Sequence, residues 1–393
     1  MRTEPARRAA VVIAGGSIAA VETLGALSTL APERVSVTVL APEETFTYRP
    51  LTLAVDPRAD RPPAPALRDL TASLGATHVR DRITWVDAAA RSVHTAGGTR
   101  LGFDALVLAI GARASPAYRD ALMLEPAAAG AVLDLLAQAR TGCLRRVAFV
   151  VPERSGWLLA LYETVLALAH AGEQAAAPLE VLVLTVERAP LAVFGRRASR
   201  RMSELLDGHG VKVLADVHTD VAGAGRVRAH GSDGSRWETT GLDRVVAAPH
   251  LHGPFLRGLP IADAGFIPID PYCRVPGHHE IFAAGDVTSY AVKHGGIAAQ
   301  QGDVVARGIA ALVGVPDVRR PFRPRLEARL LTGAAPLYLG ADLIGGEPFG
   351  SVATDVPERA AGPKVIAEEL DRVLDRAASS ASPGVQPDVE HRV

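Results

Sequence analysis

The chain has 393 residues, 48% of them hydrophobic, and a formal net charge of −1 at pH 7. That length can bury the cores of two or three α/β domains, and the balanced charge gives no general attraction to nucleic acid or to anionic lipid. The two cysteines, Cys143 and Cys273, have no C-x-x-C spacing, which argues for a reducing compartment and against a disulfide framework, so we expect a cytoplasmic protein.

A strand, a glycine turn and a helix open the chain. Residues 9–14 have the composition of a buried strand, 18–30 carry small and apolar residues at helical spacing, and 35–40 form a second strand. In such a βαβ unit a dinucleotide pyrophosphate rests on the N-terminus of the helix. The turn meets the G-x-G-x-x-G/A pattern only in part, because serine stands at its second glycine. Its candidate cofactor contacts are Gly15, Gly16, Ser17 and Ala20.

The acidic residue expected after the second strand is missing. Ala41 stands at that position, and Glu43 and Glu44 follow it as substitutes that could bond a ribose hydroxyl. We take Glu43 as the candidate. Further on, residues 82–103 alternate in polarity around a Gly-Gly turn, which predicts an antiparallel hairpin.

A second strand–helix–strand pattern lies between residues 147 and 185. Its turn carries Pro152, Glu153 and Trp157 where a pyridine nucleotide site has glycines, so the close backbone approach to a pyrophosphate is lost. Glu187, after the second strand of this unit, is nevertheless placed to meet a ribose. NAD(P)H binding in this region is therefore doubtful without being excluded.

A Gly-Asp turn follows a short apolar strand late in the chain. Residues 281–284 run into Gly285 and Asp286, and a helix start rich in small residues comes next. This layout suits a backbone that passes close to a phosphate-bearing ligand while the carboxylate of Asp286 reaches a ribityl or ribose hydroxyl.

The opening unit and the Gly-Asp turn together resemble the two-dinucleotide-binding-domain flavoproteins, the FAD-dependent pyridine nucleotide-disulfide oxidoreductase superfamily. The resemblance is in particular to the branch of type II NADH dehydrogenases and sulfide:quinone reductases. Residues 46–51 resemble that family's loop under the flavin, and 103–113 resemble its YDxLVxATGA strand and turn, with Ile110 replacing threonine. The resemblance implies FAD as the cofactor and adds Arg49 and Gly111 to its candidate contacts.

The fold implied by the resemblance is α/β, with two Rossmann-like (FAD/NAD(P)-binding) domains, the first of them discontinuous, and a small C-terminal α+β region. We place the FAD-binding domain at residues 1–115 and 250–320 and the NAD(P)-binding-like domain at 116–249. The C-terminal region covers 321–378, with two short strands (329–332 and 336–340) and one helix (364–378). Residues 379–393 are rich in serine, proline and glycine and are predicted to be disordered.

Two residues beyond the Gly-Asp turn are candidates for catalysis. Family members place residues near the flavin at this point, so a cation at Lys293 would stabilise the reduced ring and His294 would relay a proton at neutral pH. A solvated lysine and a polar loop histidine are the alternatives. The twelve histidines show no metal-ligand spacing, and we predict no metal site.

Two features weaken the match to individual subfamilies. Sulfide:quinone reductases need a redox-active cysteine pair beside the flavin, and no such spacing exists here, so a persulfide mechanism is not expected. Gln300 and Gln301 resemble the end of the A-Q-x-A-x-Q quinone-site pattern of type II NADH dehydrogenases, but Gly295–Gly296 replaces its leading Ala-Gln.

The functional hypothesis is an FAD-dependent oxidoreductase that passes electrons from a reduced small-molecule donor through the flavin to an acceptor, with a quinone as one candidate. Two alternatives stay open: a non-catalytic or regulatory FAD-binding protein, and a pathway-specific flavoenzyme that acts on an organic substrate. We expect no nucleic-acid partner, and a homodimer is compatible with the pattern.

The expectation about membrane association rests on the predicted C-terminal helix. Its apolar residues form one narrow stripe, its opposite face is acidic, and it lacks the tryptophan and lysine rim of an interfacial helix. We therefore expect it to pack on its own domain, so that the protein has no strong membrane anchor and at most a weak membrane association.

Overall fold

The computed structural model describes residues 7–47, 64–175, 178–223, 225–356, 367 and 369–374. The helices within these ranges are α1 Ile18–Leu30, α2 Leu67–Ser73, α3 Ala129–Thr141, α4 Leu159–Glu173, α5 Gly195–Gly208 and α6 Gly295–Leu312. The strands are β1 Ala9–Ala14, β2 Val35–Leu40, β3 Thr77–Val79, β4 Ile83–Asp87, β5 Ser92–Thr95, β6 Arg100–Gly102, β7 Ala105–Leu108, β8 Arg113–Ser115, β9 Leu122–Met123, β10 Arg146–Val151, β11 Glu180–Thr185, β12 Lys212–Leu214, β13 Val217–Val221, β14 Val227–Gly231, β15 Arg236–Thr239, β16 Arg244–Ala247, β17 His250–His252, β18 Ile281–Ala283, β19 Arg325–Leu330, β20 Leu337–Ile344 and β21 Glu347–Thr354.

The first sheet is parallel and has the strand order β18-β7-β1-β2-β3. Strands β7 and β18 and most of β1 are buried apolar runs, as expected where both faces of a parallel sheet are covered, whereas β2 alternates in polarity. Strand β18 joins it from far along the chain, so this Rossmann-like domain is discontinuous, as the sequence predicts. Helices α1 and α6 pack closely, and the Thr23 hydroxyl donates to the Gly302 carbonyl at 3.2 Å.

The second sheet is also parallel, with the order β12-β11-β10-β16-β9. Its core contains the fully buried side chains of Phe149, Tyr162 and Phe194. The predicted fold class, with two Rossmann-like domains, is thus confirmed. The strands of each sheet fall inside the ranges predicted for its domain, while the domain boundaries themselves stay a prediction.

Three small antiparallel sheets complete the architecture. The predicted hairpin over residues 82–103 is the sheet β4-β5-β6, in which the Gly-Gly turn joins β5 to β6. A second sheet, β13-β14-β15, lies beside the second Rossmann-like domain. In the C-terminal region the prediction of two strands is wrong, because the structure has three, β19-β20-β21, and longer ones. The missed strand β21 follows the turn at Gly345 and Gly346, both at positive φ, and contains proline and glycine, which hide its strand character.

The described part of the predicted C-terminal helix, residues 369–374, packs on the first domain. Leu370 and Val373 lie in the same core as α1 and the first sheet, so the described part of the apolar stripe is buried against the protein itself, which agrees with the prediction for these residues. The rest of the predicted helix and the tail at 379–393 lie outside the described residues. Among the helices that the structure describes, none is long and apolar enough to cross a membrane.

Candidate functional site

A cavity of about 1130 Å³ opens where the carboxyl ends of the first sheet's strands meet. The turn after β1, the turn after β7 and the Gly-Asp turn after β18 all border it. Nine of the eleven predicted site residues line this cavity: Gly15, Gly16, Ser17, Glu43, Gly111, Gly285, Asp286, Lys293 and His294. The structure therefore brings together residues that are up to 279 positions apart in the chain.

The other two predicted residues are placed differently. Ala20 lies in α1 with 1% of its surface exposed, inside the core and away from the cavity. The corresponding position of the G-x-G-x-x-G/A pattern serves close packing of the helix on the sheet, and Ala20 fits that role better than a cofactor contact. Arg49, in the loop predicted to pass under a flavin, lies outside the described residues.

The first turn depends on a glycine that no other residue can replace. Gly15 has a φ of +120°, and a Cβ at this position would lie 2.1 Å from the Ala109 carbonyl oxygen. Ser17 is the N-cap residue of α1, but its side chain makes no capping hydrogen bond. Because Ser17, Ile18 and Ala19 line the cavity, the first N–H groups of α1 can meet an anionic group there.

Of the two glutamates that follow Ala41, only Glu43 borders the cavity. Glu44 forms an ion pair with Arg80 instead. Glu43, the candidate taken from the sequence, is thus the member of the pair that lies at the cavity. The Glu43 side chain is exposed, and Arg80 pairs with Glu44, so the Glu43 carboxylate can accept a hydrogen bond from a hydroxyl group.

The Gly-Asp turn is hydrogen-bonded to α6. Gly285 has a φ of +81° and donates its N–H to the Gln301 side-chain oxygen at 2.7 Å. Gln301 is fully buried, and its Nε2 has no hydrogen-bond partner among the described residues. Gly111, in the turn after β7, also has a positive φ of +71°, and a Cβ there would meet nothing within 4 Å, so its backbone opens onto the cavity.

Lys293 places a largely buried amine in the cavity wall. Its Nζ donates to the Thr288 carbonyl and lies 4.0 Å from the centre of the Phe266 ring. Burial lowers the pKa of Lys293 to about 8, and the nearby Asp286 carboxylate partly opposes that shift. Lys293 therefore remains mainly protonated at pH 7 and is a structured cation, unlike the solvated lysine of the alternative interpretation.

His294 lines the cavity as a buried helix cap, and its role as a proton relay stays a prediction. It is the N-cap residue of α6, with its Nδ1 accepting the Gly296 N–H at 3.2 Å. Only 5% of the residue is exposed, and burial lowers its pKa to about 3. A proton relay must bind and release a proton near the working pH. His294 caps the helix, and Lys293 is the group of the pair whose pKa lies closer to neutral.

Three arginines, which the sequence did not single out, also border the cavity. They are Arg82, Arg113 and Arg257. Guanidinium groups suit pyrophosphate oxygens because they present several donors in a plane. Arg113 could have been noted, since it stands two residues after Gly111, whereas Arg82 and Arg257 lie in segments without a motif.

Gln300, the predicted remnant of a quinone-site pattern, has a structural role. Its side-chain amide donates to the Arg325 carbonyl at 2.7 Å, and its oxygen accepts the Arg325 N–H at 2.9 Å. Both ends of the amide thus fasten α6 to β19. Together with the bond from Gly285 to Gln301, this removes both glutamines as direct quinone contacts.

Neither cysteine takes part in the site. Cys143 is exposed and Cys273 is buried, and both are free thiols. Burial, with the nearby Asp270 carboxylate adding to it, raises the pKa of Cys273 far above its usual range, which keeps that thiol unreactive. Among the described residues no group of His, Cys, Asp and Glu could hold a metal ion.

The residues present fit a flavin dinucleotide. The cavity is larger than the usual 300–1,000 Å³ of a small-molecule site, as an extended two-part cofactor requires. It offers an uncapped helix N-terminus and arginines for a pyrophosphate, and carboxylates at Glu43 and Asp286 for hydroxyl groups. The open backbone at Gly111 allows close approach of a flat ring.

Comparisons with known proteins agree with this geometry. Residues 163–302 match the family profile described as pyridine nucleotide-disulphide oxidoreductase. The match runs from the first turns of α4 through the Gly-Asp turn into α6. A search of curated proteins gives no match.

Two solved structures share the fold of this chain. The sulfide:quinone oxidoreductase from the hyperthermophilic bacterium Aquifex aeolicus has 17% sequence identity and a TM-score of 0.77, over 88% of this chain and 86% of that one. A ferredoxin reductase for the CYP199A2 system from Rhodopseudomonas palustris has 21% identity and a TM-score of 0.59, over 85% and 83%. At these identities the likeness establishes the fold.

Proposed function

We propose that the protein is an FAD-dependent oxidoreductase that takes electrons from a small reduced donor and passes them to a small acceptor, with a quinone as the acceptor class to test first. The observation that supports this most directly is the single cavity in which three glycine turns, two carboxylates and the amine of Lys293 converge. The similarity in fold to a sulfide:quinone oxidoreductase motivates the choice of acceptor.

Bound FAD would supply the electron-transfer chemistry, and the protein would supply binding, orientation and charge. The N-terminus of α1, with Arg82, Arg113 and Arg257, would hold the pyrophosphate. Asp286 would accept a hydrogen bond from a hydroxyl of the cofactor, in the manner of a carboxylate placed at a Gly-Asp turn.

Lys293 is the residue that would act during turnover. Its ammonium group, fixed by Thr288 and Phe266, would stabilise negative charge that develops on the cofactor side of the cavity. Because burial lowers its pKa to about 8, it can also give up and regain a proton close to neutral pH. His294 would support it by holding the start of α6 in place as a neutral cap.

The experiment starts from the purified protein. We expect a yellow protein with non-covalently bound FAD, which separates from the protein on denaturation. Anaerobic mixing with NADH, NADPH and sulfide, followed by reoxidation with a soluble quinone, then identifies donor and acceptor. A colourless protein that gains no flavin absorbance on incubation with FAD would rule the proposal out, and a bound flavin that no reductant except dithionite bleaches would favour a non-catalytic FAD-binding protein.

A further inference from the structure

Trp157 connects the second Rossmann-like domain to the cavity. It lies between β10 and α4, is half-buried, and lines the cavity together with Leu159 and Ala160 of the first turn of α4. The centre of its ring lies 4.2 Å from that of His294 and 5.5 Å from that of Phe194. The indole therefore fills the space between the N-termini of α4 and α6, which belong to different domains.

That space is where a second nucleotide would approach the flavin. In a Rossmann-like domain the pyrophosphate of a dinucleotide lies on the N-terminus of the helix that follows the first strand, here α4. A nicotinamide extending from that point into the cavity would have to cross the position of the Trp157 ring. The indole thus lies in the path between the second domain's nucleotide position and the cofactor's cavity.

The turn that should approach a pyrophosphate is also occupied by the protein. Gly156 is its remaining glycine, and a Cβ there would lie 2.6 Å from Cδ1 of Leu251. Leu251 also donates its N–H to the Arg154 carbonyl at 3.0 Å, so this segment is paired with the turn. The glycine serves the close approach of Leu251, which takes the place that a phosphate would need.

Hydrogen bonds within the second domain already engage the acid that would bind a ribose. The Tyr162 hydroxyl, on α4, donates to the Glu187 carboxylate at 2.6 Å, and the Thr185 hydroxyl donates to the same oxygen at 3.2 Å. Burial raises the pKa of Glu187 to about 7. The acid that the sequence offers to a ribose is therefore already a hydrogen-bond acceptor for two protein hydroxyls.

We propose that Trp157 is the specificity-determining residue that keeps a nicotinamide out of the cavity, with Tyr162 closing the ribose position behind it. This inference rests on the proposed function, since it concerns access to the bound flavin. It follows that the physiological donor is a small reductant other than NAD(P)H that enters the cavity without using the nucleotide position of the second domain.

The test compares three forms of the FAD-loaded protein under anaerobic conditions. The wild type, Trp157→Ala and Trp157→Phe are mixed with NADH, with NADPH and with dithionite, and the loss of visible flavin absorbance is followed. We expect Trp157→Ala to be reduced by at least one pyridine nucleotide at least about tenfold faster than the wild type, with saturation, and Trp157→Phe to stay close to the wild type. Adding Tyr162→Phe to Trp157→Ala should lower the half-saturating nucleotide concentration, because it frees an acceptor on Glu187.

Reduction with dithionite distinguishes a failure of this inference from a failure of the proposed function. Equal dithionite reduction and equal FAD content in all forms show that the flavin is in place, so an unchanged nucleotide rate in Trp157→Ala would overturn the role of Trp157 and leave the proposed function standing. Rapid reduction of the wild type by NADH or NADPH would overturn the inference directly. If Trp157→Ala loses FAD, Trp157→Leu replaces it in the reduction assay, and the binding of NAD+ to the wild-type holoprotein is measured by calorimetry. Tight binding of NAD+ would contradict the closed nucleotide site. Absence of FAD from the wild type would instead refute the proposed function.

Discussion

Leu370 donates its backbone N–H to the buried carboxylate of Glu22, at 3.0 Å, across 348 positions of the chain. The neighbouring N–H of Glu369 donates to the other oxygen of the same carboxylate at 3.2 Å. A single side chain of α1 thus accepts from two backbone N–H groups of the described C-terminal helical segment. One buried acid joins the apolar contacts of Leu370 and Val373 in holding this segment on α1.

Glu22 should make the stability of the protein dependent on pH. Burial raises its pKa from 4.5 to about 7, with Glu369 and Asp303 adding to the shift, so the folded protein binds this proton more tightly than the unfolded chain does. The resulting stabilisation is complete below pH 4.5 and is lost as the pH rises through 7. We expect the free energy of unfolding of the wild type to lose about 3 kcal/mol from this group across that window.

Urea denaturation at a series of pH values checks this expectation. The difference between wild type and Glu22→Gln isolates the group, because the buried Glu187 titrates in the same range in both proteins. Glu33→Gln, an exposed position in the connection between α1 and β2, serves as the control and should keep the wild-type pH profile. Parallel pH profiles for wild type and Glu22→Gln would contradict the assignment.

Gly15 should tolerate no side chain. Gly15→Ala combines a φ of +120° with a Cβ 2.1 Å from the Ala109 carbonyl oxygen, so the turn or strand β7 must move. Gly98→Ala is the matched control, because its φ of +84° imposes backbone strain while its Cβ would meet nothing within 4 Å. We expect Gly98→Ala to cost about 1–2 kcal/mol in urea denaturation and Gly15→Ala clearly more, with loss of bound FAD. Equal costs would show that the contact with Ala109 relaxes freely.

The parts of the site that the sequence predicts are those governed by local backbone chemistry. Gly15 and Gly285 are recognisable because a turn at positive φ next to a ligand restricts the residue type, whereas Gly111 follows from the family resemblance. The buried strands and the helix at 18–30 follow from hydrophobic pattern in the same way. These features depend on neighbours in the chain, so a single sequence contains the information.

The remaining features depend on which segments meet in space. The contact of Trp157 with His294, the bond of Tyr162 to Glu187 and the bond of Leu370 to Glu22 each join residues that no local pattern relates. The same limit applies to His294, because its sequence position does not reveal that it is a buried helix cap. The ion pair of Glu44 is equally hidden in the sequence, since its partner comes from residue 80.

Asp286 should contribute directly to FAD affinity. Replacing it by alanine should remove a charge-assisted hydrogen bond to the cofactor, which is worth about 1.5–3 kcal/mol and corresponds to roughly 10- to 150-fold weaker binding. The dissociation constant can be measured from the recovery of free FAD fluorescence on dilution. Asp286→Asn tests whether charge or shape matters, and Asp134→Ala, an exposed position on α3, should leave affinity unchanged. Wild-type affinity in Asp286→Ala would remove this residue from the cofactor site.

Lys293 should give the rate of flavin reduction a dependence on pH near 8. Its pKa is lowered to about 8 by burial, so the cation in the cavity is lost as the pH rises through that value. If the ammonium stabilises negative charge on the reduced cofactor, reduction should slow and the midpoint potential should fall more steeply above pH 8 than below it. Lys293→Met fills a similar volume without the charge, so its flavin should be reduced slowly at all pH values and its pH profile should lack the inflection. Lys293→Arg should keep the charge and move the inflection beyond the accessible pH range. Anaerobic stopped-flow reduction with a donor whose own ionisation is constant between pH 6 and 10 provides the measurement, and an inflection that persists in Lys293→Met would assign the titration to another group.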